Sequence, residues 1–130
     1  MWVATPSVGG MASTHHTLDY VEIAAPDLPA AVDFYSRAFG WEFTHYGPGY
    51  AGIRRADGDG EVGGLSAEGV PGTGGPLVLL YSADLDATVS SVLAAGGTVV
   101  NGPYAFPGGR RFHFRDPAGN ELGVWAAAPE

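Results

Sequence analysis

This chain contains no cysteine and no lysine. The absence of cysteine excludes disulfides, thiolate metal sites and cysteine nucleophiles. Six arginines are outnumbered by 14 acidic residues, which leaves a formal net charge of −8 at pH 7. An acidic surface of this kind argues against nucleic-acid binding and against attachment to anionic membranes. Long apolar runs and signal-peptide features are also missing, so we expect a cytoplasmic protein with no nucleic-acid or membrane partner.

The remaining composition is typical of one folded domain. Among the 130 residues, 45% are hydrophobic and only 15% are charged, which provides enough apolar surface for a buried core. We expect residues 1–16 to form a disordered N-terminal extension and residues 17–128 to form the domain. His15 and His16 fall in that extension, so we interpret this adjacent pair as incidental and not as a metal site.

The segment from Asp27 to Trp41 predicts a helix with defined ends. Asp27 is suited to cap the N-terminus, and Gly40 is suited to end the helix in a left-handed conformation. Apolar residues recur at helical spacing between these ends and predict a buried stripe of Leu28, Ala31, Val32, Tyr35 and Phe39. A fainter copy of the pattern, from Asp84 to Gly97, predicts a second helix that buries Leu85, Val89, Val92 and Leu93. The chain is therefore predicted to contain one structural unit twice.

Alternating apolar and polar residues around each helix predict strands. These are Leu18–Ala24, Trp41–Tyr46, Tyr50–Arg55 and Glu61–Leu65 in the first unit, and Leu77–Ser82, Thr98–Asn101, Arg110–Arg115 and Glu121–Trp125 in the second. Residues 66–75 are rich in glycine and predict a linker between module one (17–65) and module two (76–128). Residues 107–109 predict a mobile loop. The fold class that follows is α+β, with two βαβββ modules and helices on one face of the sheet.

Three segments together resemble the vicinal oxygen chelate superfamily: Tyr20–Phe43, Asp84–Val100 and Phe112–Trp125. This superfamily includes glyoxalase I, bleomycin-resistance proteins, extradiol dioxygenases and fosfomycin-resistance enzymes. The resemblance implies a cupped mixed sheet, with the helices on its convex side and a small-molecule ligand on its concave side. It also implies a homodimer, in which modules from two chains sometimes complete each cup.

Metal-dependent members of the superfamily bind a divalent ion through His and Glu side chains near the middle of several strands. The resemblance places these positions at Tyr20, at Leu77, at Gly63 or Gly64, and at Gly123. None of these residues is a usual ligand for such an ion. We therefore expect neither a metal nor another cofactor, and no isomerase or dioxygenase activity by the superfamily's metal route.

The resemblance and the strand alternation place a mixed set of side chains on the concave face. These are Tyr20, Glu22, Leu77, Leu79, Arg111, His113, Gly123 and Trp125. His113 and Glu22 are candidates for a general base and its orienting partner, and Arg111 for binding an anionic group. The alternative interpretation is that these three side chains form a structural polar cluster.

Aromatic residues suggest a second use of the same cup. Tyr20, Trp125 and Trp41 are candidates for stacking on a flat or apolar ligand. The alternative is that they belong to the core or to a subunit interface, which is the favoured interpretation for Trp41 because it directly follows the helix.

Three functions remain open from the sequence. The favoured one is a metal-independent small-molecule-binding protein of the bleomycin-resistance type, which binds an apolar or aromatic ligand in the cup. The second is an isomerase- or lyase-like enzyme that uses His113 and Glu22, either without a metal or with a displaced divalent ion. The third is a regulatory or scaffolding domain with an empty cup, which a concave face filled by the protein's own side chains would support.

Overall fold

The computed structural model describes residues 15–16 and 18–129. The elements within them are β1 (Val21–Ala24), α1 (Leu28–Phe39), β2 (Phe43–His45), β3 (Tyr50–Arg54), β4 (Glu61–Ser66), β5 (Leu79–Tyr81), α2 (Leu85–Ala94), β6 (Thr98–Phe106), β7 (Gly109–Arg115) and β8 (Glu121–Ala127). The predicted N-terminal extension lies outside the described residues, except for His15 and His16. Neither described helix is long and apolar enough to cross a bilayer.

Each module has its own four-stranded mixed sheet. The strand order is β1-β4-β3-β2 in module one and β5-β8-β7-β6 in module two. The edge strands β1 and β5 run parallel to their neighbours β4 and β8, and the other pairs are antiparallel. The same order in both modules confirms the predicted α+β class and the βαβββ repeat.

The helices begin and end close to the predicted residues. The side chain of Asp27 accepts a hydrogen bond from the backbone N–H of Ala30 at 3.1 Å, and this bond caps α1. Asp84 caps α2 in the same way through the N–H of Ala87 at 3.2 Å. Gly40 ends α1 with φ of 72°, a left-handed conformation that glycine adopts at little cost.

One apolar core lies between the helices and the sides of both sheets that face them. Helix α1 contributes Leu28, Ala31, Phe34, Tyr35 and Ala38, and the strands contribute Ile23, Leu65, Phe112, Phe114 and Val124. The predicted stripe is therefore largely confirmed for α1, although Val32 and Phe39 are only partly buried. In α2 the prediction for Leu93 is wrong: this side chain is 54% exposed, whereas Leu85 and Val92 are buried. A helix of ten residues turns only a narrow stripe towards the core, and Leu93 lies beside that stripe.

The segment after α2 differs most from the prediction. Strand β6 continues to Phe106 instead of ending at Asn101, and β7 begins at Gly109. Residues 107–108 are therefore the turn of a hairpin in which Phe106 pairs with Gly109, and Gly109 belongs to β7 and not to the predicted loop. The hydrogen-bond ladder resumes after a bulge in β6, which the alternation of the sequence does not reveal.

A buried polar network joins the two modules. The Tyr35 hydroxyl donates to Asp116 at 2.9 Å, and Asn120 donates to the same carboxylate at 3.0 Å. The Asn120 amide also donates to the backbone carbonyl of Ala24 in β1 at 2.6 Å, and its oxygen accepts from Gly72 N–H at 3.2 Å. Helix α1, strand β1 and the linker are thereby fixed against the turn that precedes β8.

Candidate functional site

We call the side of the module-two sheet opposite the helices the open face of module two. Phe112, Phe114, Leu122 and Val124 point into the core. Strand alternation therefore places Arg111, His113, Gly123 and Trp125 on the open face. Cross-strand register sets Leu79 beside Gly123 and Tyr81 beside Trp125.

Four polar side chains on this face form a continuous chain of hydrogen bonds. His113 Nδ1 lies 2.8 Å from Glu121 Oε2, and His113 Nε2 lies 2.9 Å from the Tyr104 hydroxyl. Arg111 Nε donates to the same hydroxyl. His113 is buried, with 9% of its surface exposed, whereas Tyr104, Arg111 and Glu121 are partly exposed. An ionised carboxylate can only accept a hydrogen bond, so in the neutral imidazole Nδ1 carries the proton and donates it to Glu121, and Nε2 accepts from the Tyr104 hydroxyl.

The bulge in β6 is what brings Tyr104 into this chain. The pairing shifts between Asn101, which lies opposite His113, and Tyr104, which lies opposite Arg111. Gly102 occupies the bulge with φ of 85°, and a Cβ there would lie 2.9 Å from the carbonyl oxygen of Arg111. The extra residue turns the Tyr104 side chain towards the open face.

Apolar side chains from β5, β8 and β6 lie beside the polar chain. Trp125 contacts Tyr81 edge-on at 5.1 Å between ring centroids and Phe106 at 6.4 Å. The Arg111 guanidinium lies over the rings of Tyr104 and Phe106 at 5.4 and 5.5 Å from their centroids. We call the set Leu77, Leu79, Tyr81, Phe106 and Trp125 the aromatic patch. Within it, Leu79 and Tyr81 remain 39% and 61% exposed, so the patch is open to solvent.

A second polar cluster lies on the corresponding face of module one. The hydroxyls of Tyr20 and Tyr50 are 2.6 Å apart, and Tyr50 also donates to Glu22 at 3.1 Å. Burial, together with the hydrogen bond to Tyr20, raises the pKa of Tyr50 above the usual tyrosine value. A cleft of about 390 Å³ that includes Glu22 and Glu68 opens beside this cluster.

The predicted pairing of His113 with Glu22 does not form. His113 lies in module two and both of its ring nitrogens are engaged, by Glu121 and by Tyr104. Glu22 lies in module one and accepts from Tyr50. Sequence alternation places each residue on the correct face of its own sheet, but it carries no information about which side chains meet.

The other predicted residues fall in two places. Leu77, Leu79, Arg111 and Trp125 lie together on the open face of module two, whereas Tyr20 lies in the module-one cluster. Trp41 packs in parallel on the buried ring of Tyr35, with centroids 4.6 Å apart. It belongs to the core on the helix side, which matches the alternative interpretation for this residue.

Sequence reasoning missed Tyr104, Glu121, Tyr81 and Phe106. Strand alternation could have identified two of them, because Glu121 is two residues before Gly123 and Tyr81 is two residues after Leu79, on the same face of their strands. It could not have identified Tyr104 and Phe106, since they follow the bulge and lie beyond the predicted end of their strand.

The residues at the superfamily's ligand positions do not fit a divalent ion. A Cβ on Gly64 would lie 2.1 Å from the Tyr50 hydroxyl and 2.8 Å from that of Tyr20, so these phenols fill the space of a ligand side chain. At Gly123 the same space is filled by a methyl group of Leu79, at 2.5 Å. Among the residues that the structure describes, no group of three or more His, Cys, Asp or Glu side chains could hold a metal ion.

Comparison with known proteins gives two curated relatives from Streptomyces. The chain is 33% identical to the anthracycline biosynthesis protein DnrV of Streptomyces peucetius, over 82% of this chain and 45% of that protein. It is 32% identical to the anthracycline biosynthesis protein DauV of Streptomyces sp. strain C5, with the same coverage. The chain thus spans less than half the length of these relatives.

Solved structures share the fold at lower identity. A glyoxalase-related enzyme from Fulvimarina pelagi has a TM-score of 0.72 and 20% identity, covering 85% of this chain and 88% of the other. TnmS3, an antibiotic binding protein from Streptomyces sp. CB03234, has a TM-score of 0.66 and 24% identity, covering 92% of this chain and all of the other. The model of the glyoxalase/bleomycin resistance protein/dioxygenase superfamily matches residues 17–124. The chain therefore belongs to the glyoxalase/bleomycin resistance protein/dioxygenase superfamily.

Proposed function

We propose that the protein binds a flat, fused-ring aromatic small molecule on the open face of module two, without a metal centre. The observation that carries this proposal is the aromatic patch, which stays exposed on a sheet face opposite the core. Large apolar side chains clustered on a surface commonly indicate a binding site. The curated relatives are named for anthracycline biosynthesis, and one structural neighbour is named an antibiotic binding protein, which supports a ligand of this chemical class.

The geometry of the patch suits a planar ligand. Tyr81 and Phe106 meet Trp125 edge-on, at interplanar angles of 70° and 68°. The face of the indole between them offers a surface for offset stacking, and Leu77 and Leu79 extend it with aliphatic contacts. Arg111 and Tyr104, which are partly exposed, form the polar rim of this surface and would orient a ligand that carries oxygen substituents.

The proposal includes a homodimer and two further ligand contacts. Strands β1 and β5 are each at the edge of their sheet, and such edges readily pair with another chain. A second copy whose module one lies over this open face would bring Tyr20 and Glu22 towards the ligand. Sedimentation velocity should then give the mass of a dimer, and a monomer at all concentrations would remove this part of the proposal.

The enzyme that uses His113 with Glu22 is less well supported than ligand binding. Glu121 occupies the place next to His113 that Glu22 was predicted to take. Acid–base chemistry at His113 would therefore depend on Tyr104 and Glu121.

Calorimetry of a single substitution tests the proposal. Trp125→Ala removes the central ring of the patch, and we expect affinity for 2-hydroxyanthraquinone to fall by about tenfold to a hundredfold, or about 1.5–3 kcal/mol. Leu93→Ala is the matched control, because Leu93 is an exposed apolar residue on α2, away from the patch. Equal affinities for the wild type and Trp125→Ala, or an equal loss in both variants, would contradict the proposal.

A further inference from the structure

We propose that Tyr104 accepts a proton from an ionisable hydroxyl on an aromatic ligand, and that His113 and Glu121 drive this transfer as a relay. The inference rests on the proposed function, since it concerns the same open face. It goes beyond binding because it assigns the face a chemical step, proton removal from a phenolic O–H.

The first argument is the order of the hydrogen-bonded groups. Glu121 Oε2, His113 Nδ1, His113 Nε2 and the Tyr104 hydroxyl follow one another at 2.8 and 2.9 Å. An imidazole between a carboxylate and a hydroxyl is oriented to take the hydroxyl proton, because the carboxylate stabilises the imidazolium that forms. Here the hydroxyl at the end of the relay is a phenol, which exchanges protons with another phenol at little cost in free energy.

The second argument is the position of Tyr104 at the end of the relay. His113 is buried, whereas Tyr104 is partly exposed and lies on β6, whose residues are mostly exposed. The Tyr104 oxygen accepts from Arg111 Nε and shares a proton with His113, which leaves one lone pair for a ligand donor. The aromatic patch begins at Phe106, two residues further along β6, and the Arg111 guanidinium lies over both rings. A ring stacked on the patch would therefore present its hydroxyl to Tyr104.

The step balances within the protein. The ligand O–H bond breaks and its proton passes to the Tyr104 oxygen, while the Tyr104 proton passes to His113 Nε2. The products are a bound phenolate and an imidazolium that donates to Glu121. The charged and titratable groups that face Tyr104 are Arg111 and His113, with Glu121 behind His113. Arg115 lies on the same side of β7, opposite Glu121 in register.

The test is the visible spectrum of 2-hydroxyanthraquinone bound to the full-length protein, recorded as a function of pH. Ionisation of this probe changes its colour, so the spectrum reports its protonation state directly. We expect the bound probe to ionise about one pH unit below the free probe, which corresponds to about tenfold tighter binding of the phenolate than of the phenol. Tyr104→Phe and His113→Gln should each abolish the shift. Tyr46→Phe and His45→Gln, which change a tyrosine and a histidine outside the relay, should retain it.

Each outcome decides between the two proposals. An unshifted midpoint for the bound probe, with 2-methoxyanthraquinone binding equally well, overturns the relay and leaves the binding function intact. A shift that persists in Tyr104→Phe also overturns the relay. Binding of neither compound rejects the binding function and the relay together. Where thermal melting shows that Tyr104→Phe is unfolded, Glu121→Gln takes its place, and it should reduce the shift while leaving the binding of the methoxy compound unchanged.

Discussion

At the scale of single residues, two glycines determine what the open faces can hold. The resemblance to the superfamily predicts metal-ligand positions at Gly63 or Gly64 and at Gly123. The space that a side chain would need is already filled, by the hydroxyls of Tyr50 and Tyr20 in one case and by Leu79 in the other. At these positions the protein therefore has packed phenol and leucine side chains in the space that metal ligands would need.

A residue-scale prediction concerns the buried Tyr35. Burial, and then the charge of Asp116, raises the pKa of this phenol well above its usual value near 10. The folded state therefore keeps the Tyr35 proton at a pH where the unfolded chain has lost it. Stability from this source is fully present below about pH 10 and falls above it, by about 1.4 kcal/mol per pH unit. In Tyr35→Phe the free energy of unfolding should therefore fall less steeply above about pH 10 than in the wild type.

Urea unfolding between about pH 9 and pH 11 measures this effect. Tyr35→Phe should also cost about 1–3 kcal/mol at neutral pH, since Asp116 loses a buried hydrogen bond. Tyr81→Phe is the control, because Tyr81 is exposed and lies outside the buried network of Tyr35 and Asp116. Equal alkaline slopes for the wild type and Tyr35→Phe would contradict the assignment.

At the scale of elements, the helices were predictable and the ends of the strands were not. Helix limits depend on local chemistry, and the caps at Asp27, Asp84 and Gly40 are visible in the sequence. The limits of β6 depend on pairing with β7, a contact across the hairpin that no local pattern specifies. For this reason the predicted site contained His113 but lacked Tyr104, its partner on β6.

An element-scale prediction concerns the bulge that orients Tyr104. Gly102→Ala places a Cβ in a left-handed conformation and within 2.9 Å of both the Arg111 carbonyl oxygen and the Tyr104 ring. We expect a loss of about 1–2 kcal/mol in the free energy of unfolding, measured by chemical denaturation. Gly58→Ala in the β3–β4 hairpin is the control, because a Cβ there meets nothing within 4 Å. Equal stabilities of the two variants would show that the bulge does not require glycine.

At the scale of the whole molecule, the repeat explains why the fold class followed from the sequence. Two modules with an aspartate at each helix N-cap and the same strand order share one core, and the network of Tyr35, Asp116 and Asn120 joins them. The functional site does not share this symmetry. On the side of its sheet opposite the helices, module one carries tyrosine hydroxyls and carboxylates. Module two carries the aromatic patch and the proposed relay on its open face. The repeat predicts architecture, and the difference between the copies determines function.

The central claim is that the ligand is recognised by these side chains and not by a metal ion. The measurement that tests it most directly is calorimetric titration of 2-hydroxyanthraquinone into the protein before and after exhaustive chelation, with His15→Ala and His16→Ala introduced to remove adventitious binding. The account predicts the same dissociation constant in both states, with no change on adding zinc, nickel, manganese or iron(II). Loss of binding on chelation, restored by one equivalent of one of these ions, would contradict it.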